Sequence, residues 1–334
     1  MNIAQHSFDY ESPAVLAHIS VLPLIELLQQ RQIGLHEVLT GTCLFAEQLA
    51  KANARITVSQ WLQVINNINR LYSNAQPNDL LMLLASQLTA HAALPIAQLL
   101  NNAPNLRSML HHWQRFNVQW QPLQQLTYHC HQQLCDIHWR PTVGLHQQAQ
   151  RVDELSVSLM LRLLKKYRLQ SGVVALEWPY PKDRQHSAYQ AFWGLNPIYQ
   201  GQRVQLRIQR QLLDQPLINT RYRQAALQQC ELQQRLLGYR HGTLTILRQA
   251  IQQRLPIHYE LEQAANERQL SISSLKRLLK KHGMSFSTLN DQLRYHIALN
   301  SLARESNSKR VIAQQLGYSD KHNFRRAWRR WVNI

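Results

Sequence analysis

The last ninety residues carry one pattern twice, and that repetition restricts the fold more than any other feature of the chain. In Leu261–Leu279 (LEQAANERQLSISSLKRLL), Ala265 is a small residue on a helix, Leu270 closes a short turn and Ser271 is placed to N-cap a second helix. At about 100° per residue, that second helix sets Leu275, Leu278 and Leu279 on one face and Ser273, Lys276, Arg277 and Lys280 on the other. In Val311–Trp331 (VIAQQLGYSDKHNFRRAWRRW), Ala313 precedes Ser319 by the same six residues that separate Ala265 from Ser271, and Gly317 supplies the turn. The copies lie 48 residues apart. Phe324, Ala327, Trp328 and Trp331 recur at i, i+3, i+4, i+7, while His322, Arg325, Arg326 and Arg329 follow the same spacing on the opposite side. Twice, an apolar stripe that must pack backs a basic stripe that is free to meet an anion.

Between the copies, Ser285–Arg304 reads as one long helix with Leu289, Leu293, Ile297, Ala298 and Leu302 inward. At roughly 1.5 Å per residue it would hold the two units about 30 Å apart, close to the roughly 34 Å turn of B-DNA. The charge distribution agrees. The net formal charge is +18, and residues 241–334 hold sixteen basic against six acidic groups, the densest part of the field. Such an imbalance favours a polyanionic partner, nucleic acid or an anionic surface, through long-range attraction and counterion release.

At 334 residues the chain is long enough for two cores. Leu22 to about Leu100 is mostly helical in pattern, and the uncharged stretch Leu80–Leu100, which contains Ser86, Gln87, Thr89, His91 and Gln98, reads as a buried helix, a break at Pro95 and a second apolar segment. Turns are signalled at Gly34, Gly41 and Gln76–Pro77–Asn78–Asp79. Asn105 is placed to cap a helix running to Phe116, after which alternation sets in through Val118 and Trp120, then Leu126, Tyr128 and Cys130, then Ile137 and Trp139. Val152–Tyr167 returns to helix, Val173–Trp178 and Arg203–Gln209 read as strands, and Ala188–Trp193 as a short helix. Arg221–Gly238 is charged, polar and helical, with a break at Tyr239–Gly242, and no credible strand follows Thr243. The expected fold class is therefore an α+β N-terminal domain (residues 1–220), a linker region (221–242) and an all-α C-terminal domain (243–334) with two helix-turn-helix units joined by a long helix.

Four cysteines, Cys43, Cys130, Cys135 and Cys230, make no disulfide framework and suit a reducing cytoplasm. Met1–Tyr10 lacks a basic region followed by an apolar core, so no signal peptide is expected. In Tyr128–Trp139, His129, Cys130, His131, Cys135 and His138 are possible metal donors, but strand geometry sends His129 and His131 to one face and Cys130 to the other. Ordinary hairpin side chains are the favoured reading, with no metal and no cofactor. A nucleophile elbow, a Walker A loop, a dinucleotide glycine fingerprint and a His-Glu-x-x-His run are all absent, and binding rather than catalysis is expected.

The residues of the doubled motif resemble the AraC/XylS family of bacterial transcription regulators. The resemblance rests on Ala265 with Ser271, Leu275 and Arg277; on Gly283, Ser285 and Phe286; on Arg294, Ala298 and Leu302; and on Ile312–Ala313 with Leu316–Gly317–Tyr318–Ser319, Phe324 and Arg326. It covers essentially all of residues 243–331. Looser marks upstream are similar to the arabinose-binding-type effector and dimerisation domain of one branch of that family: Asp79–Leu80, Asn105–Leu106–Arg107, and Trp178–Pro179 through Tyr189 and Phe192 to Leu213–Pro216–Leu217. The sequence departs from the family after Trp331, where Asn333 stands about where a Gly precedes a Ser-Pro and a final short helix.

The resemblance implies a cytoplasmic, homodimeric regulator, more often an activator, that binds double-stranded promoter DNA, contacts RNA polymerase and senses a small-molecule effector. It implies base contacts from Ser273, Lys276 and Arg277 in the first recognition helix and from Lys321, His322, Asn323 and Arg326 in the second. Arg and Lys suit guanine O6/N7 and Asn suits adenine. Ser271, Lys280, Lys281, Lys309, Arg310 and Arg325 are candidates for phosphate contact or plain solubility charges. Trp113, Trp120, Trp139, Trp178, Phe192 and Trp193 are candidates to line an effector pocket or simply to fill core. The competing reading is a basic interaction protein that docks on an acidic protein or membrane surface. Against it stand two separate buried stripes, where a membrane-surface helix would show one long apolar face.

Overall fold

The computed structural model describes residues 7–51, 53–72, 78–183, 185–217, 221–238, 241–302 and 308–332. Nine strands are described: β1 (Ser7–Phe8), β2 (Pro13–Leu16), β3 (Arg55–Thr57), β4 (Gln124–His131), β5 (Leu134–Pro141), β6 (Val173–Trp178), β7 (Ile198–Tyr199), β8 (Gln205–Gln209) and β9 (His241–Gly242). The main sheet has the order β4-β5-β8-β6-β7, antiparallel except for the parallel β6/β7 edge. Its register sets Leu126 opposite Trp139 and Cys130 opposite Cys135. The alternation of Val204, Leu206 and Ile208 holds, since all three are buried.

Helices form the rest of the N-terminal half. Ala149–Lys166 buries most of its length and packs against Leu80–Ala90. Leu80–Ala90 and Pro95–Asn101 meet at a 78° bend, and no single helix among the described residues is long and apolar enough to cross a membrane. Pro95 opens the second segment, where its missing N–H would have had no helical partner. Asn105 caps Leu106–Arg115 as the spacing predicts, its Oδ1 accepting from Ser108 N at 2.8 Å.

Two expectations need correction. Val118 and Trp120 do not begin a strand: Asn117–Trp120 is a turn of helix closed by Gln121 N donating to Asn117 O at 2.7 Å. Two apolar residues two positions apart are too short a sample to distinguish the strand period from the helix period. Within the mostly helical first hundred residues, β2 and β3 pair antiparallel, each too short to carry a pattern of its own.

The segment read as a connection, Arg223–Leu237, is helical as expected, but Ala226 and Cys230 are fully buried in the N-terminal core. Gln119 Nε2 donates to Cys230 O at 2.7 Å, which anchors the helix further. Tyr239 and Arg240 of the expected break, and Gln76–Pro77 of the expected turn, lie outside the described residues.

The C-terminal helices enclose two smaller cores. Leu244, Leu247, Ile251, Ala264, Ala265, Leu275 and Leu279 fill the first, together with Leu289 and Leu293 of the long helix Phe286–Leu302. Ala298 of the same helix joins Ile312, Leu316, Phe324, Ala327 and Trp331 in the second. Arg304, the expected end of that helix, lies outside the described residues.

Helix Ala149–Lys166 also buries two acids. Asp153 accepts from Gln124 Nε2 and Tyr180 OH, and Glu154 from both Arg151 Nη1 and Tyr189 OH. Burial pushes the Asp153 carboxyl up to about 7, with the neighbouring Glu154 adding to the rise and the Tyr180 and Gln124 hydrogen bonds opposing it. Because the folded value lies above the unfolded one, ionisation destabilises the fold: Asp153 costs nothing below its unfolded pKa and increasingly more as pH rises toward 7. The wild type should lose Tm between pH 4 and 7, and we expect Asp153→Asn, which keeps the shape and both polar contacts, to flatten that decline. Parallel melting curves for the two proteins over that range would refute the assignment.

Candidate nucleic-acid interface

The first helix pair is Leu261–Asn266 and Ile272–Lys281. Ala264 and Ala265 are fully buried at the crossing, where any larger side chain would push the two helices apart. Leu270 N donates to Ala265 O at 3.0 Å, and Ser271 Oγ accepts from Ser274 N at 3.1 Å, so the turn and the cap both sit where the sequence puts them. Leu275 and Leu279 point into the core, while Ser273, Lys276, Arg277 and Lys280 are exposed together on the far face. Ser271 is exposed as well, with its hydroxyl also bonded to those of Ser273 and Ser274.

The second pair is Lys309–Gln315 and Lys321–Val332. Tyr318 N donates to Ala313 O at 2.9 Å, matching the Leu270–Ala265 bond of the first pair. Gly317 has φ +80°, and a Cβ there would lie 2.1 Å from Pro256 O, so the turn admits glycine alone. Beyond the turn the two pairs differ. The helix is capped by Asp320, whose Oδ1 accepts from Asn323 N at 2.7 Å, and not by Ser319. One extra residue therefore separates Ala313 from its cap. Counted from the caps, His322, Arg325 and Arg326 correspond to Ser273, Lys276 and Arg277. Equal sequence spacing suggested Ser319; the carboxylate one residue on is the capping acceptor.

His322, Arg310, Arg325, Arg326 and Arg329 are exposed, and Asn323 is half-buried. Asn323 Nδ2 donates to Asp320 Oδ2 at 2.6 Å and Arg326 Nη2 donates to Asn323 Oδ1, a chain along one side of the helix. The side chains of Lys309 and Lys321 lie outside the described residues, as does Asn333.

The C-terminal end of helix Ile272–Lys281 is fastened to the N-terminal half. Lys281, a phosphate candidate, sits 3.3 Å from Asp9 Oδ2 and over the Tyr10 ring. His282, fully buried, accepts from Gly144 N through Nδ1 at 3.0 Å and faces Asp9 Oδ1 through Nε2 at 3.0 Å. Tyr10 OH donates to Gly144 O at 2.7 Å, and a Cβ on Gly144 would fall 2.5 Å from His282 O. β1 pairs with β9, and Thr243 Oγ1 donates to Phe8 O at 2.9 Å.

The six aromatic candidates do not surround one cavity. Trp113 and Trp120 pack edge to face, with centroids 5.9 Å apart, and Trp120 borders a hollow of only about 30 Å³. Trp178 and Trp193 pack with Tyr189 in core, where Trp193 Nε1 donates to Ser158 Oγ at 2.8 Å, and Phe192 lies half-buried against the same core. Trp139 alone borders a cavity of about 270 Å³ between the main sheet and the long helix. Around it stand residues the sequence did not single out, including Arg140, Arg203, Arg248 and Tyr295; scattered basic residues give no signal until the chain folds.

In the β4–β5 hairpin, Cys130 and Cys135 are free thiols facing each other, His131 lies 3.8 Å from Asp136, and His129 turns toward His296. No group of three or more His, Cys, Asp or Glu among the described residues is arranged to hold a metal ion.

Residues 33–217 match the family described as the arabinose-binding domain of AraC transcription regulator, N-terminal, and residues 264–334 match a helix-turn-helix domain. The chain is 31% identical over 161 residues to the ornithine utilization regulator of Pseudomonas aeruginosa. That match covers 48% of this chain and 48% of the relative, so it spans about half of the relative's length. It is also similar to the crystal structure of transcriptional regulator CdpR from Pseudomonas aeruginosa, at 17% identity and a TM-score of 0.44, with 98% of this chain and 96% of that one covered.

Besides the shared apolar core, one carboxylate ties helix Lys321–Val332 to the long helix. Asp291 Oδ1 accepts from Arg330 Nη2 at 2.7 Å and from Trp331 Nε1 at 2.9 Å. Asp291→Ala leaves the buried Trp331 donor unpaired, a loss of about 1–3 kcal/mol. Amide hydrogen exchange should then accelerate in Lys321–Val332 and stay unchanged in Ile272–Lys281; equal protection of both helices in the variant and the wild type would rule this tie out.

Proposed function

The chain belongs to the AraC family of transcription regulators, and from that premise we propose that it binds promoter DNA through both helix pairs, with Ile272–Lys281 and Lys321–Val332 entering successive major grooves on one side of the duplex. The observation that carries this reading is the pairing of two outward polar and basic faces with two buried apolar ones on a single shared helix. The shared helix has 17 residues. At about 1.5 Å per residue this separates the two units by a distance of the order of one turn of duplex.

In this reading Ser273, Lys276, Arg277, His322, Asn323 and Arg326 read bases, joined by Lys321. The cap-based correspondence adds Arg325 to the base-facing set, opposite the role its charge alone suggests. Lys280 and Arg310 contact phosphate. Ser271 serves chiefly as a cap, and Lys281, bound to Asp9, reaches phosphate only if that contact opens. The N-terminal half senses a small molecule and dimerises, and the effector works by favouring one arrangement of the two halves, which requires different affinity for the two states. The regulator acts as an activator in contact with RNA polymerase, in the cytoplasm, by binding and without catalysis.

A gel shift with a promoter fragment from beside its own coding region separates this reading from docking on an acidic protein or membrane. Arg277→Ala, Arg325→Ala and Arg326→Ala should each cost about 1–3 kcal/mol and relax sequence preference, whereas Lys280→Ala should weaken all sequences alike and reduce the salt slope by about 1. Unchanged selectivity in Arg277→Ala and Arg326→Ala would mean that the recognition helices are wrongly assigned.

A further inference from the structure

The cavity of about 270 Å³ beside Trp139 is walled by both halves of the chain. Arg140 lies near the end of β5, Arg203 precedes β8, Arg248 lies on helix Thr243–Arg254, Tyr295 and His296 lie on the long helix, and Trp331 on the second recognition helix. Three guanidinium groups thus line one cavity.

None of the three has a carboxylate partner among the described residues. Arg248 is only 6% exposed, and its Nη1 donates to Pro141 O. Arg203 Nε donates to the neutral Gln205 Oε1 at 3.0 Å, and the Nη2 of Arg140 is enclosed without a partner. The nearby acids are already engaged. Asp136 and Glu177 face Arg207, and Asp291, the acidic residue lining the cavity, holds Arg330 and Trp331. Burial, followed by mutual repulsion with Arg248 and Arg203, depresses Arg140 to about 9, and burial depresses Arg248 to about 10. Even so, both remain cationic at neutral pH. The neighbouring His138 and His296 are held neutral, first by burial and then by the same cations. Buried charges in folded proteins are ordinarily paired, and unpaired ones destabilise the structure that holds them.

Resting on the reading that the N-terminal half senses an effector, we propose that this cavity is the effector site and that its ligand is a small organic carboxylate. The planar guanidinium forks suit a carboxylate held bidentately, and Trp139, Tyr295 and Trp331 offer an apolar wall for the rest of the molecule. A bound acid supplies the missing counter-charge. It also ties the N-terminal sheet to the long helix and to helix Lys321–Val332, so occupancy sets the placement of the C-terminal half against the N-terminal half.

The test is thermal melting of the full chain, free of DNA, with sodium benzoate, sodium glutarate or sodium phosphate against sodium chloride at equal ionic strength. Benzoate or glutarate should raise Tm by about 3 °C or more at saturation, and phosphate by less. Arg140→Gln should abolish that rise while melting no lower than the wild type without ligand, because it removes an unpaired charge. Should Arg140→Gln fail to fold, Arg203→Gln is read in the same way. No rise with either carboxylate, an equal rise with phosphate, or a rise that survives in the variant overturns the proposal. Promoter binding that persists when the anion effect is absent removes the pocket alone; an anion effect without promoter binding removes the regulator reading alone.

Discussion

Helix Phe286–Leu302 is the constraint on which the C-terminal half depends, because its faces are committed to different neighbours at once. Leu289 and Leu293 complete the first small core, Ala298 completes the second, and His296 and Tyr295 turn toward the N-terminal sheet. Asp291 spends its carboxylate on the last helix. A rotation of this helix by one residue, about 100°, would expose both leucines and bury charge against the cores at the same time. Its orientation is therefore strongly determined, and so is the angle between the two basic faces it carries. Small domains of this kind gain little from any one core, and sharing a helix lets each borrow apolar surface from the other.

How much was legible in the sequence follows from how local each signal is. The two amphipathic helices are read off a period of 3.6 residues, and Leu275, Leu279, Phe324 and Trp331 are buried as that period requires. Ser271 as a cap was legible because its acceptor and its donor lie three residues apart. Equal spacing makes Ser319 the counterpart of Ser271, but the capping acceptor is Asp320, one residue on, which the repeat alone does not reveal. The two-residue strands β1 and β9 and the three- to four-residue β2 and β3 are set by partners far along the chain, and nothing within such short segments announces them. The cavity arginines were invisible for the same reason: Arg140, Arg203 and Arg248 are spread over more than a hundred positions and become one site only through the sheet and the seam.

The seam itself differs from a loose interface between independent domains. Gly144 and His282 approach backbone to backbone, the His282 ring is fully buried, and Leu244 N donates to Thr142 O at 2.9 Å. Contacts of this kind join the segment after the main sheet directly to the end of helix Ile272–Lys281. The aromatic residues proposed from sequence fall mostly elsewhere, in core that stabilises the sheet, and the seam holds polar and charged side chains instead.

The short run Ser7–Tyr10 joins this seam through every one of its last three residues: the Phe8 carbonyl reaches Thr243, Asp9 meets Lys281 and His282, and the Tyr10 hydroxyl meets Gly144. The run is a clasp between the two halves. Phe8 and Tyr10 are also buried in the N-terminal core, so the same few side chains serve an interior and a junction, and neither can be altered there without the other.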